Sequence, residues 1–135
     1  MNRRTIIIDG NLFDTEEGFY DLMDKLLTKD LPWKTGHNLD AFNDLLRGGF
    51  GVHEDGEPLE IVWLNSEKSK KDLGYKATIE HWEEILTKCH PSANSKVRKK
   101  ISDAKKGIGK TLFDDISEII CNTNNSGHDC TLILR

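Results

Sequence analysis

Three short apolar runs stand far apart in the 135-residue sequence, at Arg4–Asp9, Leu59–Leu64 and Cys130–Leu134. Short runs of this kind, rich in isoleucine, leucine and valine, are typical of buried β-strands. The stretches between them carry apolar residues at helical spacing, so we expect helices to connect one strand to the next. Strands joined by helices pair in parallel through right-handed crossovers. The sequence therefore predicts an α/β fold with a three-stranded parallel β-sheet packed with four or more α-helices.

Capping residues and apolar spacing locate these helices. Serine, threonine, asparagine or aspartate before a periodic apolar stretch favours a helix start, and glycine favours its end. The predicted helices run from Asp14 or Thr15 to about Lys29, from Asn38 to Gly48, from Asn65 or Ser66 through a short lysine-rich stretch, from Thr78 to Cys89, and from Leu112 to Cys121. In the fourth of them, Ile79, Trp82, Ile85 and Leu86 are expected to face the core.

Length and composition fit one globular domain. A chain of this size buries roughly 68 to 70% of its unfolded surface on folding. Three tryptophans and five phenylalanines supply a core, so we expect a single domain over residues 1–135. The segment from about 90 to 111 is polar and basic, and we interpret it as an insertion, in part helical, within that domain.

The cysteines and the absence of long apolar runs favour a cytoplasmic protein. Cys89, Cys121 and Cys130 are odd in number and widely spaced, unlike the disulfide framework of a small secreted domain. No apolar run approaches the roughly 18 residues of a membrane-spanning helix. Only a few apolar residues follow the first four positions before Asp9, so we expect neither a signal peptide nor a membrane anchor.

The charge is distributed unevenly along the chain. The net charge is -4, but residues 1–65 hold 13 acidic and 6 basic residues, whereas residues 66–135 hold 10 acidic and 13 basic ones. An acidic protein repels the phosphates of nucleic acid and suits a basic protein partner. We therefore look for a function in the acidic half and expect a protein partner rather than nucleic acid.

Two aspartates of the second predicted helix share one face. Asp40 and Asp44 are spaced i and i+4, which places their charges one helical turn apart and costs an isolated helix about 0.2 to 0.5 kcal/mol. In one interpretation, Asp40 stabilises the helix N-terminus, and Asp44 pairs with Arg47 or is simply solvated. In the other, the two carboxylates imitate consecutive phosphates and enter a nuclease site lined with arginine and lysine.

The residues around these aspartates carry a family resemblance. The pattern Pro32-x-x-x-Gly36-x-Asn38-Leu39-Asp40-Ala41-x-x-Asp44-x-Leu46, ending near Gly48, resembles the recognition segment of the barstar family of ribonuclease inhibitors. The first strand and the C-terminal segment from Gly127 to Leu134 extend the resemblance. It implies a barstar-like fold and an intracellular inhibitor, or immunity protein, that blocks the active site of a cognate ribonuclease toxin without catalysis or cofactor. The expected complex is a 1:1 heterodimer.

The resemblance also implies which residues contact the partner. Asp40 and Asp44 would be the charged contacts, with Asp44 at the centre. Asn38 would cap the helix, and Gly36 would let the preceding loop approach the partner closely. The full set of expected partner contacts is Trp33, Lys34, Gly36, Asn38, Asp40, Asn43, Asp44, Arg47, Gly48 and Phe50.

Two departures from the family pattern bear on the identity of the partner. The family commonly places aromatic residues directly before the glycine, where this chain has Lys34 and Thr35, and Trp33 is the nearby aromatic residue. An acidic position of the family's last helix falls near Asn122, which is neutral. These departures leave open whether the partner is a ribonuclease or another nuclease toxin domain.

The basic segment supplies an alternative function. Residues 96–111 are rich in lysine, and Ala104 to Thr111 satisfies a relaxed phosphate-binding loop pattern. Such a loop must follow a buried strand, and the preceding residues are charged. A nucleic-acid or nucleotide binding module centred on residues 96–111 is the second hypothesis.

Two further patterns have weaker support. Cys89-His90 and His128-x-Cys130 lack the C-x-x-C spacing of common zinc sites, so we expect no metal site. His53, Glu54 and Asp55 adjoin in one loop, but no nucleophile with an orienting partner accompanies them. We therefore do not expect an enzyme.

Overall fold

The three predicted strands form one parallel sheet in the computed structural model, which describes residues 3–29, 36–122 and 128–135. Strands β1 (Arg4–Asp9), β2 (Leu59–Leu64) and β3 (Cys130–Leu134) lie in the order β1-β2-β3. The register places Ile6 beside Ile61 and Ile61 beside Leu132. The strand boundaries and the parallel pairing predicted from the sequence are confirmed.

Six α-helices occur in the described residues, which confirms an α/β fold with four or more helices. They are α1 (Glu16–Leu27), α2 (Leu39–Arg47), α3 (Ser66–Asp72), α4 (Tyr75–Lys88), α5 (Asn94–Lys105) and α6 (Leu112–Cys121). Thr15 caps α1 by accepting a hydrogen bond from the Gly18 amide at 3.0 Å. None of these helices is long and apolar enough to cross a membrane.

The core forms around Trp63 on the central strand. Its ring stacks on Phe19 of α1 at a centroid distance of 5.6 Å, and Phe113 of α6 lies 4.9 Å away. The indole nitrogen donates to Ser69 Oγ at 3.0 Å, so the buried polar atom is paired. Phe19 also contacts Phe42 of α2 at 5.2 Å. Through this chain of aromatic contacts, the sheet and α1 determine where α2 lies.

Helix α4 differs from its prediction. It begins at Tyr75 rather than Thr78, and its fully buried side chains are Thr78 and His81. The four residues expected to face the core, Ile79, Trp82, Ile85 and Leu86, are only half-buried. The reason is that α4 packs mainly against α5, a basic helix that buries Val97, Ile101 and Ala104. This neighbour leaves part of the apolar stripe of α4 exposed.

Candidate partner-binding surface

Helix α2 is held firmly at its first turn. Asn38 has extended backbone, and its Oδ1 accepts a hydrogen bond from the Ala41 amide at 2.8 Å. On the inner face of the helix, Phe42, Leu45 and Leu46 are buried in the core. The outer face is therefore presented in one orientation.

Asp40 and Asp44 lie exposed on that outer face. Among the described residues, neither carboxylate has an ion pair or a hydrogen-bond partner. Arg47, one turn further on, is also exposed and contacts neither of them. The Asp44–Arg47 pair considered from the sequence is thus not formed. The two negative charges remain uncompensated and are able to accept charge-assisted hydrogen bonds from cationic groups.

Gly48 ends α2 for a steric reason. Its φ of 97° is unfavourable for other residues, and a Cβ here would lie 2.2 Å from the carbonyl oxygen of Glu54. Gly48 is also buried, so it determines the shape of the loop and is not exposed to a partner. The adjoining loop closes over the helix end, where His53 is buried and donates from Nε2 to the Leu46 carbonyl at 3.0 Å.

Two other expected contacts also have internal roles. Asn43 is half-buried, and its Oδ1 lies 3.0 Å from Nε2 of the buried His128. Phe50 is half-buried against the core, and its carbonyl accepts from the Lys29 amide at 2.9 Å. These contacts fix the helix and the loop after it. Trp33 and Lys34 lie outside the described residues.

Gly36 is exposed and packs closely against the start of α2. A Cβ at this position would lie 3.2 Å from Asn38 Nδ2 and 3.4 Å from the Ala41 Cβ. The lack of a side chain therefore keeps the approach to the N-cap open. The structure brings Gly36, Asn38, Asp40 and Asp44 together at one exposed edge.

The acidic surface extends beyond α2 in a way that the sequence did not reveal. A cavity of about 680 Å³ is lined by Asp40 together with Asp115 and Glu118 of α6. Burial raises the pKa of Asp115, Lys100 opposes this effect, and Glu118 adds to it. Glu118 pairs with Lys110 at 2.6 Å. The spacing of Asp115 and Glu118 in the sequence indicates that they share one helix face. The sequence pattern does not show that this face lies beside Asp40.

On the opposite side of this cavity, α4 and α5 meet. Trp82 lines the cavity, and the ammonium group of Lys100 lies 4.8 Å from the centroid of its ring. This distance is within the range of cation–π attraction. The cavity thus combines carboxylates with an aromatic wall directly beside α2.

The basic segment does not have the geometry of a phosphate-binding loop. Helix α5, rather than a strand, precedes the turn that contains Gly107 and Gly109. Two of its cations have ion-pair partners within the protein, since Lys99 pairs with Asp103 at 3.4 Å and Lys110 with Glu118. The structure therefore gives the nucleotide-binding hypothesis no support.

The cysteines considered as zinc ligands do not converge. Cys130 is buried, and burial raises the pKa of its thiol to about 12. Cys89 Sγ lies 3.2 Å from Asn94 Oδ1. In the described ranges, no group of three potential metal ligands includes a cysteine.

Comparison with known families identifies a related family. The family model described as Barstar (barnase inhibitor) matches residues 3–102, from just before β1 to within α5. The matched range contains all of α2 and the sequence on each side of it. A search of curated proteins found no match.

Proposed function

The chain belongs to the barstar family of ribonuclease inhibitors, and we propose that it is an immunity protein that blocks a cognate ribonuclease toxin with helix α2 and its flanking loops. It acts inside the producing cell by occupying the toxin's active site. Inhibition of this kind needs neither catalysis nor a cofactor. One inhibitor monomer binds one toxin domain.

The observation that carries this proposal is the uncompensated pair Asp40 and Asp44. Ribonuclease active sites bind phosphates through arginine and lysine, and carboxylates accept hydrogen bonds from the same groups. Like charges on one helix face weakly oppose folding, by about 0.2 to 0.5 kcal/mol. The helix dipole favours Asp40 in the first turn, but its effect fades before Asp44. Binding to a cationic site explains Asp44, whose position stability does not explain.

The way α2 is held supports a role in tight binding. Its inner face is buried in the core, Asn38 caps one end, and the loop after Gly48 closes the other. A contact surface that is ordered before binding loses little conformational entropy in the complex. The two aspartates are therefore presented to the partner at low entropic cost.

The cavity beside α2 supplies a second part of the proposed interface. Asp40 belongs to both, so a partner that contacts α2 also meets Asp115 and Glu118. Additional carboxylates at the rim mainly steer a basic partner and accelerate association. The neutral Asn122 lines the same cavity, one helical turn beyond Glu118. The acidic groups of α6 are thus placed differently from the family pattern, which agrees with a cognate toxin different from barnase.

An inhibition assay tests the proposal. The purified protein is titrated against barnase and, in parallel, against the product of the reading frame beside its gene, which we expect to be a basic toxin domain, with RNA cleavage as the readout. We expect stoichiometric inhibition of the neighbouring domain, whatever the result with barnase. Full RNA cleavage by that domain in the presence of excess protein, together with no complex in a pull-down, would contradict the proposal.

A further inference from the structure

A groove lies between the start of α2 and helix α4. It consists of two adjoining cavities of about 680 and 460 Å³, and both are lined by Leu39 and Asp40 of α2 and by Trp82 of α4. Trp82 therefore lies across the groove from Asp40, the first of the two exposed aspartates of α2. A toxin domain that covers Asp40 and Asp44 also covers part of this groove.

We propose that the groove receives an arginine side chain of the toxin domain, which stacks on Trp82 and pairs with Asp40. This inference rests on the proposed function, because it assigns a further contact to the same partner. It makes the pair of helices α4 and α5 a second recognition element beside α2.

The lining of the groove has the composition of a protein interface. Leu39 and Ile119 are half-buried against the core and supply apolar surface on one side. Trp82 and Ile85 are half-buried on the α4 side, whereas Asp40 is exposed. An apolar centre with a charged rim is typical of protein interfaces, and a tryptophan in such a centre commonly supplies much of the binding energy.

Lys100 of α5 shows that this groove attracts a cation. Its ammonium group lies 4.8 Å from the centroid of the Trp82 ring. Its side chain is exposed, and among the described residues it has no ion-pair partner. Its charge acts on Asp115 across the cavity, where it opposes the effect of burial on the pKa of that carboxyl. A cation–π contact at an exposed site is weak, so a cation with more contacts can displace Lys100.

The charged residues that line the larger cavity are three carboxylates and Lys100. Glu118 is paired with Lys110 at 2.6 Å. Within the described ranges, Asp40 and Asp115 have no ion-pair partner. Lys100 therefore balances one of two unpaired carboxylates. The remaining negative charge favours the entry of a cationic side chain from the partner.

Arginine fits this combination of groups better than lysine does. Its planar guanidinium group stacks on an indole ring and can donate two parallel hydrogen bonds to a carboxylate. Lysine presents a compact, strongly hydrated charge without that paired geometry. Trp82 and Asp40 offer an aromatic ring and a carboxylate from the two sides of the groove. An arginine that displaces Lys100 is therefore expected to use both.

Isothermal titration of variants with the toxin domain from the neighbouring reading frame tests this contact. Trp82→Ala and Trp82→Leu should each weaken binding about tenfold or more. Lys100→Ala should strengthen it about two- to fivefold, because the toxin's arginine no longer has to break a cation–π contact. Lys105→Ala is the matched control. It removes the same charge from α5 but lines a separate cavity with Arg98, so it should change the affinity less than about twofold.

Circular dichroism and urea denaturation check that each variant folds. Trp82→Leu keeps the apolar volume of the side chain without the indole ring, so with Lys100→Ala it carries the test if Trp82→Ala does not fold. A double-mutant cycle then identifies the partner group. Each surface arginine of the toxin domain is replaced by alanine in turn, and we expect one of them to couple to Trp82→Leu.

Failure of the groove contact can be distinguished from failure of the proposed function. Unchanged affinity in Trp82→Leu, with weakened binding in Asp44→Asn, would overturn the groove contact and leave recognition by α2 intact. Weaker binding by Lys100→Ala would also overturn it, since Lys100 would then contact the toxin itself. So would a cycle in which no toxin arginine couples to Trp82. A toxin domain that the unaltered protein does not bind would contradict the proposed function and this contact together.

Discussion

Asn43 on α2 is linked to His128, two residues before the last strand, with 3.0 Å between Asn43 Oδ1 and His128 Nε2. His128 is only 3% exposed, so its ring depends on the protein for a hydrogen-bond partner. The contact links α2 to the residues that lead into β3. Asn43 was expected to contact the toxin, yet this bond gives it a role in the folded inhibitor itself.

Replacing Asn43 by alanine should therefore lower stability. The buried His128 nitrogen would lose its partner, which costs about 1 to 3 kcal/mol of unfolding free energy. Urea denaturation measures the loss, and Asp44→Asn serves as the control because that side chain is exposed and has no described partner. Equal stability of Asn43→Ala and the unaltered protein would show that the hydrogen bond contributes nothing.

Stability should also depend on pH through His128. Burial lowers the pKa of His128 below its ordinary value, so the unfolded chain binds a proton more readily than the folded protein does. The contribution of His128 to the free energy of unfolding is therefore fully present above about pH 6.5. It is lost as the pH falls through the pKa of His128 in the folded protein. His128→Gln should remove this part of the acid sensitivity, measured by urea denaturation between about pH 5 and 8. An identical pH dependence in the variant would contradict the expected effect.

Gly48→Ala should destabilise the protein far more than Gly56→Ala. Both glycines have positive φ, 97° and 76°, so both variants incur backbone strain of about 1 to 2 kcal/mol. A Cβ at Gly48 also collides with the Glu54 carbonyl, whereas nothing lies within 4 Å of a Cβ at Gly56. Thermal denaturation of the two variants compares them directly. Similar losses would mean that the Glu54 carbonyl moves aside easily.

Association with the toxin should slow as salt rises. Screening shortens the reach of the acidic surface formed by Asp40, Asp44 and the carboxylates of α6. Stopped-flow mixing at increasing sodium chloride measures the association rate constant, and the Asp40→Asn, Asp44→Asn double variant should show a shallower dependence. A rate constant independent of salt would argue against recognition by phosphate mimicry.

Local sequence patterns were sufficient to predict the bounds of the three strands and of α2. The three apolar runs determine the strands because only short, buried segments have that composition, and Asn38 and Gly48 mark the ends of the helix through capping and a positive φ. The burial of α4 was not predictable in the same way. Its apolar stripe suggested a core position, but the neighbour that covers it is helix α5, which the sequence presents as a charged segment.

The candidate site residues also fall into those that helical spacing predicts and those that it does not. Exposure of Asp40 and Asp44 follows from helical spacing, since Phe42, Leu45 and Leu46 occupy the other face. The internal contact of Asn43 with His128 joins residues 85 positions apart, and the groove beside Asp40 is completed by Trp82 of α4. Contacts of this kind depend on how the helices pack, so they cannot be predicted from spacing along the chain.

The affinity of Asp44→Asn for the toxin domain tests the central claim most directly, with Glu83→Gln as a control that removes an exposed charge from α4. We expect Asp44→Asn to weaken binding by at least about 2 kcal/mol, or about 30-fold. The coupling energies behind that figure come in part from the founding enzyme and inhibitor of this family. Glu83→Gln should leave the dissociation constant within about twofold, as is usual for charges outside an interface. Equal affinity of Asp44→Asn and the unaltered protein would contradict the account.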